Sequence, residues 1–181
     1  MNRAVFLDRD GVVVGAEVVD GVPRPLAEPA VLSGVSESCE QLRQAGFLLV
    51  LVTNQPDISR GRTTRAAVDS VNERLQAELM LDLVQVCPHD DADHCACRKP
   101  APGMLVEAAK ALDIHLPTSF MVGDRWRDVE AGTRAGAHTV FIDHHYPERA
   151  PTAPDFIAAS LCDAVPHILQ RSSQELHHES H

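Results

Sequence analysis

No apolar run in these 181 residues approaches the length needed to cross a membrane, and Met1-Asn2-Arg3 leads directly into an apolar stretch without the layout of a secretory signal. Both absences point to the cytoplasm. Positive charge is also in short supply: 16 Lys and Arg face 26 Asp and Glu, for a formal net charge of -10. That balance argues against a nucleic-acid coat or a binder of anionic membranes. It leaves a small anionic substrate open, because local cations decide that. There is no internal repeat and no linker long enough to divide the chain. An even set of cysteines is missing too. Five are present, three of them between Cys87 and Cys97, a crowding that suits metal ligation in a reducing compartment better than a disulfide scaffold.

What remains is the composition of an ordinary globular protein, 44% hydrophobic and 23% charged. A single domain over residues 1–170 is expected, followed by a polar, mobile tail over 171–181. Short apolar runs alternate with helical patterns. Ala4–Leu7, Phe47–Val52, Leu83–Val86, Phe120–Val122 and Thr139–Ile142 read as strands. Between them, Val35, Cys39 and Leu42 share a helical face before Gly46, and Thr63 or Thr64 can cap a helix carrying Val68, Val71, Leu75 and Leu79. Pro102 suits the first turn of a further helix. Cys39 and Cys162 fall in helical patterns as buried apolar residues. The alternation predicts an α/β fold, a doubly wound, mainly parallel, Rossmann-like sheet with no separate cap domain. The segments Gly15–Pro29 and Pro56–Arg62 are short covers at most, so the site should be open.

In such a sheet, ligands bind beyond the carboxyl ends of the strands. The residues there form a chemical set. Asp8 and Asp10 follow the first strand, and Thr53, Asn54 and Gln55 follow the second. Arg98 and Lys99 come after the third, and Asp124, with Asp128 one turn later, after the fourth. Two acids at i and i+2 on a continuing strand would face one volume, where a hard divalent cation such as Mg2+ relieves their repulsion. Acids, a hydroxyl, an amide and cations on one sheet edge suit phosphoryl transfer. In Cys87-Pro88-His89, followed by Cys95-Ala96-Cys97, three thiolates and one imidazole supply the four ligands of a closed structural Zn2+ site over residues 87–97. His94 is an alternative to His89. Because the loop ends one residue before Arg98-Lys99, the metal would also fix the cation that meets phosphate.

The segments DRDG, TNQ, RKP and GDRWRD resemble the haloacid dehalogenase superfamily of phosphatases. With CPH and CACRKP the chain is similar to the histidinol-phosphatase-related branch, which includes the heptose bisphosphate phosphatases, over about residues 4 to 170. The resemblance implies a haloacid dehalogenase-type fold and a Mg2+-dependent phosphomonoesterase in heptose precursor biosynthesis, removing the 7-phosphate of a heptose 1,7-bisphosphate. By that resemblance Asp8 is the nucleophile and a Mg2+ ligand. Asp10 is the general acid and base, with its backbone carbonyl on the metal; Asp124 completes the protein part of the Mg2+ shell. Thr53 and Lys99 hold the phosphoryl group, and His89 is preferred over His94 at zinc. Asn54, Gln55, Arg60, Arg98 and Arg125 are candidates for binding substrate, the arginines because a guanidinium matches phosphate oxygens in a two-pronged contact. Asp128 reaches the metal through water, orients Lys99, or only begins a helix. Asp57 and the short His89-to-Cys95 spacing depart from the common pattern. The expected partner is a small phosphorylated sugar met by a monomer. Histidinol phosphate is the alternative substrate, and a non-enzymatic, zinc-stabilised binding module the alternative of another class.

Overall fold

The computed structural model describes residues 1–20 and 22–178, with side chains through Gln174. Six parallel strands form one sheet in the order β5-β4-β1-β6-β7-β8, where β1 is Arg3–Leu7, β4 Phe47–Asn54, β5 Leu83–Cys87, β6 Phe120–Gly123, β7 His138–Ile142 and β8 Phe156–Ala158. Alternation along the strands feeds two cores. Val5 and Leu7 of β1 and Leu49 and Leu51 of β4 join helices α1 (Val35–Gln44), α2 (Arg65–Leu79) and α5 (Leu161–His178) on one face. Ala4, Phe6, Val50 and Val52 meet α3 (Gly103–Ala111) and α4 (Trp126–Ala135) on the other. Apolar residues on both faces of β1 and β4 follow from this double cover. The doubly wound expectation holds.

The chain starts at the centre of the sheet with β1, winds outward through β4 and β5, then returns to β6 and winds the other way. The two windings part at the carboxyl end of β1, a switch point where neighbouring loops diverge and leave a crevice. Thr64 caps α2, its Oγ1 accepting from the Ala67 amide at 3.1 Å.

Three local expectations give way. Residues 16–25 are not plain loop: β2 (Ala16–Val19) and β3 (Val22–Pro25) pair as an antiparallel hairpin over the crevice. Prolines at 23 and 25 hide it in sequence, since proline is confined to strand edges and this two-stranded ribbon is all edge. Cys162 is exposed, its Sγ 3.4 Å from Ser38 Oγ, whereas Cys39 is buried as expected. Residues 171–178, expected as mobile tail, continue α5, anchored where the Arg3 guanidinium donates to the Ser172 hydroxyl. The last three tail residues, 179–181, lie outside the described residues. Among the described residues, no helix is long and apolar enough to cross a membrane.

Candidate active site

Asp8 leaves the end of β1, with its amide donating to the Val122 carbonyl at 3.0 Å, so the nucleophile candidate is registered directly against β6. The chain then turns instead of continuing as strand: the Val13 amide donates to the Arg9 carbonyl at 3.0 Å, and Gly11 sits at φ 91°. This turn sends the two acids to different partners. Asp8 joins Asp124 and Asp128, and one carboxylate oxygen of each lies within 4.8 Å of those of the other two. Asp10 lines the same cavity as Asp8 and accepts from Gln55 Nε2 at 2.8 Å and Arg9 Nε at 3.2 Å. Burial raises its affinity for a proton, opposed by the Arg9 charge and reinforced by Asp8.

Lys99 lies buried between two acids, with Nζ 2.7 Å from Asp8 and 2.6 Å from Asp128, and also donates to the Val52 carbonyl at 2.9 Å. Burial works against its charge, but Asp128 and Asp8 outweigh that cost and hold the ammonium protonated. Asp128 therefore orients Lys99, and its other oxygen accepts the Arg125 amide at 3.0 Å at the start of α4.

Three buried acids facing one lysine leave an excess of two negative charges, which a divalent cation offsets. Asp124 carries the sharpest sign of this: both of its carboxylate oxygens are buried, and among the described residues neither has a hydrogen-bond partner. Burial, then the charges of Asp8 and Asp128, push its carboxyl well above the ordinary range. Burial together with Asp124 keeps the neighbouring Tyr146 phenol protonated. An oxygen cluster with an orphaned carboxylate fits Mg2+. Gly11 borders the same place, and a Cβ added there would stand 1.9 Å from Asp124 Oδ2. Gly11→Ala is thus expected to raise the Mg2+ concentration for half-maximal activity roughly tenfold or more, the scale of a disturbed metal environment. Calorimetric titration with Mg2+ reads the same shift without turnover, and superimposable curves for the two proteins would refute it.

The remaining polar residues at the strand ends act largely through neighbours. Thr53 is buried, and its Oγ1 accepts from Gln55 Nε2 at 3.0 Å. Gln55, which lines the cavity, thereby links Thr53 to Asp10. Asn54 likewise clamps the backbone of Lys99, donating to its carbonyl at 3.0 Å and accepting its amide at 3.1 Å. Arg60 lines the cavity but is held by Asp90 at 2.6 Å, Arg98 by Asp91 at 2.8 Å and Arg125 by Glu148 at 2.5 Å. Arg24 from the hairpin and Arg127 from α4 line it too. Neither was identified in sequence, although Arg127 stands in GDRWRD one residue before Asp128.

Beyond β5, the ligand atoms of Cys87, His89, Cys95 and Cys97 lie within 4.8 Å of one another. Sulfur pairs stand at 3.1, 3.4 and 3.7 Å, and His89 Nδ1 is 3.3 Å from Cys97 Sγ. A tetrahedron around Zn2+ with bonds of about 2.3 Å to sulfur has edges of about 3.7 Å, so the donor set fits that ion. Among the described residues, His94 is not part of the cluster. The Arg98 amide donates to Cys95 Sγ at 3.4 Å, which carries the cluster's position directly into the Arg98-Lys99 segment.

Comparison with known proteins agrees with this geometry. The HAD-hydrolase-like family model matches residues 96–164. A protein of Yersinia pestis named D-glycero-beta-D-manno-heptose-1,7-bisphosphate 7-phosphatase is 37% identical over 175 residues, covering 88% of this chain and 92% of its own. The chain belongs to the heptose-1,7-bisphosphate 7-phosphatase family of HAD-like hydrolases. An Escherichia coli K12 member is 33% identical over 94% of this chain and 95% of its own. The fold of the D,D-heptose 1,7-bisphosphate phosphatase of B. bronchiseptica, solved with magnesium and phosphate, matches with a TM-score of 0.75 at 29% identity, over 93% of this chain and 99% of that one. Like the rest of this family, the chain is a phosphatase, which sets aside the non-enzymatic binding module.

Proposed function

We propose that this phosphatase removes the 7-phosphate of D-glycero-D-manno-heptose 1,7-bisphosphate through an aspartyl-phosphate on Asp8. The observation that carries the reading is the different setting of the two acids on one cavity: Asp8 lies beside a protonated Lys99, and Asp10 in surroundings that favour its protonated form. An Asp8 oxygen attacks phosphorus, the bond from phosphorus to the C7 oxygen breaks, and Asp10 gives its proton to that leaving oxygen. Water then attacks the phosphorus while Asp10 takes a proton back, and the Asp8 carboxylate leaves. Lys99 and Thr53 hold the phosphoryl oxygens in both steps, and Asp128, Asn54 and Gln55 keep Lys99 and Asp10 in place.

Asp8, Asp124 and the Asp10 backbone carbonyl would hold Mg2+, whose charge offsets the repulsion between carboxylate and phosphate when bound. Cys87, His89, Cys95 and Cys97 would hold Zn2+ as a structural ion, with no ligand position left for catalysis. Arg60, Arg98 and Arg125 favour a substrate with a second anionic group, and histidinol phosphate, with its amine, fits an arginine-lined cavity less well.

Phosphate release from the heptose bisphosphate and from histidinol phosphate, each with and without Mg2+, tests the reading. The bisphosphate should be cleaved at C7 only, in a Mg2+-dependent manner and at least about tenfold more efficiently, the scale of one good charged contact. Preference for histidinol phosphate would overturn the substrate assignment.

A further inference from the structure

The arginines around the cavity are not equally neutralised. Arg60 meets both Asp90 and Asp57, the latter shared with Arg62, and Arg125 has Glu148 to itself. Arg98 and Arg127 differ, because they share a single carboxylate. Asp91 Oδ1 accepts from Arg98 Nε at 2.8 Å and from Arg127 Nη1 at 3.0 Å, and its Oδ2 accepts from Arg127 Nη2 at 3.3 Å. Two cations on one anion leave a net positive charge at the cavity wall.

The arrangement also joins three parts of the fold. Asp91 opens the 3-10 turn Asp91–Asp93 inside the zinc loop, and Arg98 is tied to the same loop again through Nη1 on the His89 carbonyl at 3.3 Å. Arg127 comes from the first turn of α4, with its guanidinium 4.7 Å above the Trp126 ring. Asp91 is 57% exposed, and ion pairs that open to water contribute little to stability. Stability alone therefore gives no reason for three elements to converge on it.

We propose that Arg127 is a specificity-determining residue and Asp91 its positioning partner: the shared carboxylate holds Arg98 and Arg127 side by side as a seat for the second, unhydrolysed phosphate of the sugar. The inference rests on the bisphosphate reading of the preceding section. Two free guanidinium groups would repel each other and rotate. Bridged by Asp91, each loses less freedom when phosphate arrives, and their surplus charge attracts a dianion. Among the described residues, Arg98 Nη2 and Arg127 Nε make no hydrogen bond, so each group keeps a donor for that contact. The zinc loop then serves recognition of the distal phosphate as well as placement of Lys99.

The test compares kcat/KM for heptose 1,7-bisphosphate with that for heptose 7-phosphate in the Mg2+-loaded, zinc-loaded protein and in Arg127→Gln, Asp91→Ala and Asp91→Glu. The ratio should fall roughly tenfold or more in Arg127→Gln and Asp91→Ala, through a higher KM for the bisphosphate, and recover in part in Asp91→Glu. An unchanged ratio, or equal losses on both substrates as a purely structural role would give, overturns the inference and leaves the phosphatase reading intact. A wild-type protein without preference for the bisphosphate would refute the substrate assignment itself, and this inference with it.

Discussion

Asp8→Asn should lower kcat by a factor on the order of 10^4 to 10^6, the loss typical when a covalent nucleophile is removed from an otherwise intact site. The amide keeps the shape of the carboxylate but does not attack phosphorus. Stability should move the other way in the metal-free protein. Asp8, Asp124 and Asp128 crowd one buried volume, and Asp8 contributes to the high proton affinity of Asp124. Removing its charge relieves that repulsion, and Lys99 keeps Asp128 at 2.6 Å as its counter-ion. Activity should therefore vanish while Tm without Mg2+ holds or rises, a combination that misfolding does not produce. Undiminished phosphate release by pure Asp8→Asn would remove the covalent mechanism.

Loss of the Zn2+ proposed at Cys87, His89, Cys95 and Cys97 is expected to have the second-largest effect. Stripping the metal, or Cys95→Ser, leaves thiols with Sγ atoms 3.1 to 3.7 Å apart without the cation that justifies their crowding. In Cys95→Ser the sulfur that accepts the Arg98 amide is also replaced by the smaller hydroxyl oxygen, which alters that contact. The loop carries Arg98 and Lys99 into the site, so turnover should fall roughly 10- to 100-fold, as it does when the support of a metal or catalytic group is lost. Metal loss ranks among the large single-site effects, and a loss of about 2–3 kcal/mol in a chain of this size lowers Tm by roughly 4–12 °C. The bond cleaved should not change. Differential scanning calorimetry and phosphate release before and after chelation measure both effects, and a zinc-free protein with unaltered Tm and turnover would contradict the coupling.

Much of this site was legible because its parts sit at strand ends. The apolar run before Asp8, the buried β4 before Thr53 and the short β6 before Asp124 each announce a strand, and parallel topology brings their ends together. The ligand spacing of Cys87, His89, Cys95 and Cys97 was readable for a similar reason, as a short loop closes on itself. Where sequence reading stopped, the deciding facts were non-local or conformational. The turn at Gly11 gives Asp10 and Asp8 different hydrogen-bond partners, which simple strand alternation does not anticipate. Lys99 and Asp128 are 29 positions apart and meet only because α4 follows a strand two places from β4 in the sheet. Proline concealed the hairpin, and a cation such as Arg127 gives no sequence signal until its partner Asp91 is known.

The division of labour between Asp8 and Asp10 is open to one direct measurement. In Asp10→Asn, p-nitrophenyl phosphate supplies a leaving group that departs without a proton, so attack by Asp8 proceeds while the water that should release the phosphate lacks its base. Mixing an excess of substrate with a concentrated solution of this variant and Mg2+ should give a burst of p-nitrophenol equal to the enzyme present, then a slow rate. Mass spectrometry of the acid-quenched protein should find the phosphoryl group on the peptide containing Asp8. Steady release without a burst, with Asp8 unmodified throughout, would contradict the account.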